Sequence, residues 1–163
     1  MCNFIHKRSK QIPERGVGWK IFVKQPVITS FNSRYQARAT MLHPLFRGGR
    51  YTTNKDGSVS WQNCWSHYGD GFCFFLTKKE AERTLNALQK AHDSGGWCSY
   101  SNCIVVKLNY YGGLGQHIEP KVMDRKRFRT AICKRFKIHK DERDSEGRKY
   151  QFNTKNYLGV NHV

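Results

Sequence analysis

Apolar and polar residues alternate along three segments of the chain, which is the pattern of strands with one buried face. The segments are residues 18–24, 104–111 and 128–138. In the first, Trp19 and Ile21 alternate with Lys20 and Lys24, so the lysines are expected on the solvent-facing side.

A fourth segment, residues 72–76, is wholly apolar and leads directly into a predicted helix. Thr77 followed by Glu80 forms a capping box, in which the hydroxyl accepts from the Glu80 amide and the carboxylate reaches back to the Thr77 amide. Ala81, Leu85 and Leu88 then share one helical face, and Ser94 and two glycines follow the helix. A helix over residues 78–92 is therefore predicted.

Three glycines within residues 112–115 predict a hairpin-like turn that ends the strand over residues 104–111. The expected fold is α+β: a single compact domain with an antiparallel sheet of about four to six strands and one main helix packed on it. The core is expected over residues 18–138, between a basic N-terminal arm over residues 1–17 and a polar C-terminal tail over residues 139–163.

Charge is the dominant feature of the composition, because 29 basic residues face 12 acidic ones and the net charge is +17. Residues 1–50 carry ten basic and one acidic side chain, residues 51–120 six of each, and residues 121–163 thirteen and five. Two basic ends brought onto one surface would make a large positive field, and nucleic acid is the commonest partner for such a field.

The odd positions of the segment over residues 128–138 supply the centre of the predicted binding surface. Cations at alternate strand positions share a face some 6–7 Å apart and can follow phosphates; a solvated face, or an edge protected by charge, is the alternative. The central cations are Arg127, Arg129, Arg135 and Lys137. Further cations that extend the surface are Lys7, Arg8, Lys10, Arg47 and Arg50, and Tyr51 and Trp65 are candidates for base stacking.

Neither a membrane span nor a signal peptide is recognisable in the sequence, so a cytoplasmic protein with reduced thiols is expected. Cys73 and Cys133 lie in apolar stretches and are expected in the core. Paired spacing makes zinc binding an alternative role for Cys64, His67, Cys98 and Cys103, although structural thiols are favoured and no cofactor is expected.

The turn over residues 67–71 is the candidate for catalysis. His67 and Tyr68 lie beside Asp70, which stands between two glycines, so a general base and an orienting carboxylate are available. A small metal-independent nuclease is one enzyme that such residues would serve. An ordinary turn with Asp and Gly in their usual positions is the alternative interpretation.

The sequence from Tyr68 to Ala81, Tyr-Gly-Asp-Gly-Phe-Cys-Phe-Phe-Leu-Thr-Lys-Lys-Glu-Ala, resembles the glycine–aromatic strand and following helix of ADP-ribosyltransferases. The resemblance implies NAD chemistry, with Glu119 as the candidate for the catalytic glutamate of that family. The first-strand Arg or His of the family and its Ser-Thr-Ser segment have no counterpart in this sequence.

Three motifs together resemble small, uncharacterised proteins encoded by phages. They are the Gly-Trp-Lys-Ile-Phe strand at residues 18–22, the Gly-Phe-x-x-Phe strand and capped helix at residues 71–81, and Phe-Arg-Thr-Ala at residues 128–131. The resemblance implies a viral accessory protein that acts in the host cytoplasm and blocks a host defence complex. The sequence therefore predicts a non-catalytic protein that binds RNA, DNA or a host nucleoprotein, with an enzyme of the two classes above as the alternative.

Overall fold

A computed structural model describes residues 10–24, 39–44, 50–62, 71–92, 103–118 and 129–152. These ranges contain one α-helix, α1 (Lys78–His92), and eight β-strands. The strands are β1 (Arg15–Lys24), β2 (Ala39–Pro44), β3 (Arg50–Thr53), β4 (Val59–Gln62), β5 (Phe72–Phe74), β6 (Cys103–Ile118), β7 (Arg129–Ile138) and β8 (Lys149–Phe152).

The strands form one sheet in the order β3-β4-β7-β6-β1-β2-β8, with β5 paired to β7 beside this path. All the pairs are antiparallel except β2 with β8. The predicted α+β class, with an antiparallel sheet and one main helix, is confirmed. Short strands that the sequence analysis did not predict enlarge the sheet to eight strands, and the sheet reaches from Arg15 in β1 to Phe152 in β8.

Strand β5 joins β7 and β1, which lie on either side of β6 in the strand order. It pairs with β7 from Phe72 to Phe74, and the next residue, Phe75, exchanges two backbone hydrogen bonds with Trp19 of β1, at 2.7 and 2.8 Å. The strands β1, β6, β7 and β5 therefore form a closed circle of hydrogen-bonded neighbours, which we call the strand ring. Closure gives hydrogen-bond partners to backbone N–H and C=O groups that would otherwise remain unpaired at open strand edges.

Aromatic side chains fill the interior of the strand ring. Phe22, Phe74 and Phe136 are completely buried, and Phe72 lies edge-on to Phe136 with ring centroids 4.7 Å apart. The glycine at position 18 makes room for this packing, because a Cβ atom there would lie 2.5 Å from the Phe74 ring. Large aromatic side chains thus fill the interior, and one of them packs directly against the backbone of a glycine.

Lys20 lies inside the strand ring and is 2 % exposed, so the predicted solvent-facing position of this lysine is wrong. Its Nζ donates a hydrogen bond of 2.6 Å to the carbonyl oxygen of Cys73 and lies 5.9 Å from the centroid of the Phe22 ring. The alternation of β1 was predicted correctly, but from Trp19 to Phe22 both faces of the strand are covered. One face packs against α1, and the other lines the ring interior.

The helix begins and ends where the sequence predicts. The Glu80 amide donates to the Thr77 hydroxyl at 3.3 Å, and that hydroxyl donates to the Glu80 carboxylate at 3.2 Å, so the carboxylate engages the hydroxyl rather than the predicted Thr77 amide. Ala81 and Leu85 pack on the outside of the strand ring in a cluster with Ile21, and the other members are Phe75, Cys103, Trp19, Leu88 and Val105. This packing covers one end of the outer faces of β1 and β6.

The predicted turn over residues 112–115 is wrong, because β6 continues without interruption to Ile118. The glycines instead bend the strand. Gly112 has a positive φ of 63°, the pairing with β7 shifts register between Gly113 and Gly115, and a Cβ atom on Gly113 would overlap the Pro13 carbonyl oxygen. Glycine permits such a bend within a strand as readily as it permits a turn.

No helix within the described ranges has both the length and the apolar character needed to cross a membrane.

Candidate nucleic-acid interface

The outer face of the strand ring beyond α1 is lined by three rows of side chains that the register of β1, β6 and β7 brings together. In the first row Tyr111 is paired with Arg15 on one side and Arg135 on the other. Val17, Asn109 and Lys137 make the second row, and Lys107 beside Trp19 makes the third. We call the seven residues Arg15, Val17, Lys107, Asn109, Tyr111, Arg135 and Lys137 the basic face.

Directly paired residues of antiparallel strands point to the same side of the sheet, which is why the register alone defines this surface. Neighbouring strands lie about 4.8 Å apart, and alternate residues of one strand about 6.8 Å apart. The basic face therefore spans about 10 Å across the strands and about 14 Å along them.

An arginine and a tyrosine are in contact at one end of the basic face. The guanidinium carbon of Arg135 lies 4.6 Å from the centroid of the Tyr111 ring, which is a cation–π contact. Arg135 itself remains exposed. The contact restricts the rotamers of the arginine, so less conformational entropy is lost when its guanidinium donates to a ligand.

The four cations of the basic face, Arg15, Lys107, Arg135 and Lys137, form no ion pair with any carboxylate in the described part of the chain. Asp56 is one acid that the charges of the basic face affect. Its pKa is lowered first by hydrogen bonds from the Ser58 hydroxyl and amide, and to a smaller extent by Lys137 and Arg135. The positive charge of the face is therefore only slightly offset.

Ion pairs are found elsewhere in the described structure, on α1 and in the turn before β8. Lys78 and Glu82 are 3.5 Å apart on α1. Arg148 lies 2.7 Å from Asp144 and 3.3 Å from Glu146 in the turn before β8, and its hydrogen bond to Asp144 is the main reason that the pKa of its guanidinium is raised. These ion pairs have no counterpart among the four cations of the basic face.

Two of the cations predicted at the centre of the interface, Arg135 and Lys137, lie on the basic face, but Arg129 does not share it. Ala131 and Cys133, at odd positions, belong to the same core cluster as Phe136 at an even position, so the alternation changes phase between them. Arg129 is in phase with Ala131 and is therefore on the other side of the sheet from Arg135 and Lys137. The predicted continuous row of cations along β7 is wrong, because the alternation of inward and outward positions changes phase between Cys133 and Phe136.

The other predicted binding residues are not brought onto this surface by the described structure. Lys10 is exposed and pairs through its backbone with Gln116. Arg50 and Tyr51 lie on β3, which β4 separates from β7. The predicted residues Lys7, Arg8, Arg47, Trp65 and Arg127 lie outside the described residues.

The candidate catalytic residues His67, Tyr68, Asp70 and Glu119 also lie outside the described residues, as do Cys64 and Cys98 of the alternative zinc set. Cys103, the remaining member of that set, is a buried thiol in the cluster under α1, and burial raises its pKa. Within the described ranges, no group of three or more His, Cys, Asp and Glu side chains is arranged to hold a metal ion.

The core thiols are as the sequence predicts. Cys73 and Cys133 are buried and remain thiols. Burial raises the pKa of Cys133 to about 12, so its thiol stays protonated and unreactive at neutral pH.

Sequence reasoning missed Arg15, Lys107 and Tyr111 as parts of the interface. Arg15 was predicted to lie in the N-terminal arm, although it occupies an odd position of the chain, as Trp19 and Ile21 do, and so falls on the same face of the strand. Lys107 and Tyr111 occupy odd positions in a strand whose even positions are apolar, and this parity was the available signal. Which strands would lie beside them could not be inferred from that signal.

No protein-family model matches the chain, and no curated protein or solved structure shows significant similarity to it. The resemblances to phage-encoded proteins and to ADP-ribosyltransferases therefore remain predictions from short motifs.

Proposed function

We propose that this protein binds nucleic acid through the basic face and does not catalyse a reaction on it. The observation that carries the proposal is the placement of four cations around Tyr111 on three adjacent strands, with no carboxylate of the described residues in an ion pair with any of them. Arg and Lys side chains on an open sheet face are suited to phosphate oxygens, and the arginine fork can contact two oxygens at once.

The charge of the whole chain supports an anionic partner. A net charge of +17 on 163 residues attracts polyanions over several ångströms and repels other copies of the protein. The basic face gives that general attraction a defined place on the fold. Nucleic acid satisfies both features, because it carries a regular array of phosphates together with flat bases.

Salt dependence of binding tests the proposal. Fluorescence anisotropy with labelled RNA and DNA oligonucleotides, between 50 and 200 mM salt, gives the slope of log K against log salt. That slope is about −0.7 for each phosphate contact with a single strand and about −0.9 with duplex DNA. If all four cations contact phosphates, a slope of roughly −3 is expected for a single strand.

A pair of double variants isolates the basic face from net charge. Arg135→Gln with Lys137→Gln removes two cations from the face and is expected to weaken binding and reduce the steepness of the single-strand slope by roughly 1.4. Lys79→Gln with Lys90→Gln removes two exposed cations from α1 and is the matched control. Equal losses in both variants, or no binding by the wild type at 50 mM salt, would contradict the proposal.

The non-catalytic part of the proposal needs its own measurement. After incubation the labelled oligonucleotide is expected to keep its length, and added NAD to remain unchanged. Cleavage of the oligonucleotide or consumption of NAD by the purified protein, if abolished by His67→Ala or Glu119→Ala, would show instead that the enzyme alternative is correct.

A further inference from the structure

Tyr111 lies on the middle strand of the basic face, in its first row, although an aromatic ring contributes little to the binding of phosphate. The side chain is half-buried and is flanked across the sheet by Arg15 and Arg135. Cross-strand neighbours of this kind have Cβ atoms about 5 Å apart. The ring is therefore placed where a ligand that bridges the two arginines would lie.

The second row supplies contacts that also suit a base better than a phosphate. Val17 is 40 % exposed, and it is one of two large apolar side chains in the described residues with such exposure. Asn109 is paired with it on the same side of the sheet, and its side-chain amide can both donate and accept hydrogen bonds. The face thus combines one aromatic, one apolar and one amide group with its four cations.

Such a surface favours an unpaired strand over a duplex. In a duplex the flat faces of the bases are covered by neighbouring bases, and the base edges lie at the bottom of a major groove about 8.5 Å deep. Within the described ranges the basic face is the pleated surface of three strands, with no helix or ribbon projecting from it. A duplex would therefore meet Tyr111 and Val17 only with its sugar–phosphate backbone.

A single strand can present both of its components to this face at once. Unpaired bases stack on aromatic rings, while a positively charged surface follows the backbone. We infer, on the basis of the proposed function, that the basic face selects single-stranded nucleic acid and that one base stacks on Tyr111. Arg135 lies over one face of the ring, 4.6 Å from its centroid, so the base stacks on the opposite face and the guanidinium is available to a neighbouring phosphate.

The first test uses the wild-type protein and four probes of equal length: single-stranded RNA, single-stranded DNA, the corresponding DNA duplex, and a DNA strand whose bases are replaced by abasic sites. One stacked base contributes a factor of roughly 5 to 150 in affinity. The single strands of either sugar are expected to bind more tightly than the abasic strand by about this factor. They are also expected to bind more tightly than the duplex at the same salt concentration.

The second test uses two variants of Tyr111. Tyr111→Leu removes the aromatic ring and is expected to lower the affinity for the base-containing single strand by roughly 5- to 150-fold, without changing the salt slope. The same variant should bind the abasic strand within about twofold of the wild type, and Tyr111→Phe should retain the affinity for the base-containing strand. Circular dichroism establishes that each variant is folded, and the wild-type comparison decides the question if Tyr111→Leu does not fold.

The outcomes separate the two proposals. Absence of binding to every probe would overturn the proposed function. Binding that is salt-dependent but equal for base-containing and abasic strands, or tighter for the duplex, would overturn the inference about single strands and leave the proposed function standing. A loss of affinity in Tyr111→Leu that is equally large for the abasic strand would show that the ring only supports Arg135, and would also overturn the stacking role.

Discussion

Replacement of Lys20 by methionine is the most informative perturbation of the strand ring. The amine is buried and donates to the Cys73 carbonyl oxygen at 2.6 Å, and no carboxylate of the described residues forms an ion pair with it. Removal from water lowers the pKa of the Lys20 ammonium from its ordinary value of 10.5, although the neighbouring thiols Cys73 and Cys133 partly oppose this. Lys20→Met keeps a side chain of similar length and removes the titration.

The sign of the pH effect follows from proton binding. Between the lowered pKa in the folded state and about 10.5 in the unfolded state, the unfolded chain binds a proton at Lys20 that the folded chain does not. The free energy of unfolding must therefore rise with pH in this window, by up to about 1.4 kcal/mol per pH unit for one proton. Below the folded pKa both states are protonated, and the contribution of Lys20 no longer varies with pH.

The assay is urea denaturation of the wild type and of Lys20→Met at half-unit intervals from pH 6 to pH 9, in the presence of a reducing agent. The unfolding free energy of the wild type minus that of Lys20→Met is expected to increase with pH. Cys133 acts in the opposite direction above about pH 9, since its raised pKa keeps it protonated only in the folded state; staying below that pH limits its influence.

Lys79→Met, at an exposed position on α1, is the matched control for the loss of a lysine side chain. A wild-type minus Lys20→Met difference that is constant from pH 6 to pH 9 would refute the reasoning, because it would mean that burial does not bring the titration of Lys20 into this range.

Two further predictions concern the packing and the cap. Gly18→Ala is expected to lower the unfolding free energy by about 1–3 kcal/mol, because its Cβ atom would lie 2.5 Å from the buried Phe74 ring. Gly57→Asn is the control, because a Cβ atom at that position would have nothing within 4 Å and asparagine tolerates its φ of 80°. Both variants are measured by urea denaturation, and an equal loss of unfolding free energy in the two would contradict the packing argument. Thr77→Ala is expected to lower the unfolding free energy by about 1 kcal/mol, because it removes the N-cap of α1. Thr77→Ser keeps the hydroxyl and should retain most of the stability. An unchanged thermal midpoint in Thr77→Ala would show that the cap contributes nothing.

The helix could be predicted to the residue because its signals are local. Thr77 and Glu80 are three positions apart, and the buried residues Ala81 and Leu85 follow at helical spacing. The strands β1, β6 and β7 were predicted for the same reason, from alternation alone. Local patterns were insufficient at residues 112–115, where a glycine-rich sequence is compatible with a turn and with a bent strand.

The interface depends on relationships that local patterns do not contain. Arg135 and Lys137 were predicted because they alternate with apolar residues, but Arg129 was placed wrongly on their surface because the alternation changes phase within β7. Tyr111 acquires its position from two neighbouring strands, and the pairing of residue 15 with residue 111 is not visible in either segment. The position of Lys20 is likewise not visible in its own segment, because the interior that it occupies forms only when β5 pairs with β7 and β1.

Closure of the strand ring also determines when the interior can form during synthesis. Strand β5 needs β1, which is made before it, and β7, which is made after α1 and β6. Long-range pairings of this kind form slowly, so a chain that is still on the ribosome carries open strand edges and an accessible Lys20 amine until β7 has emerged.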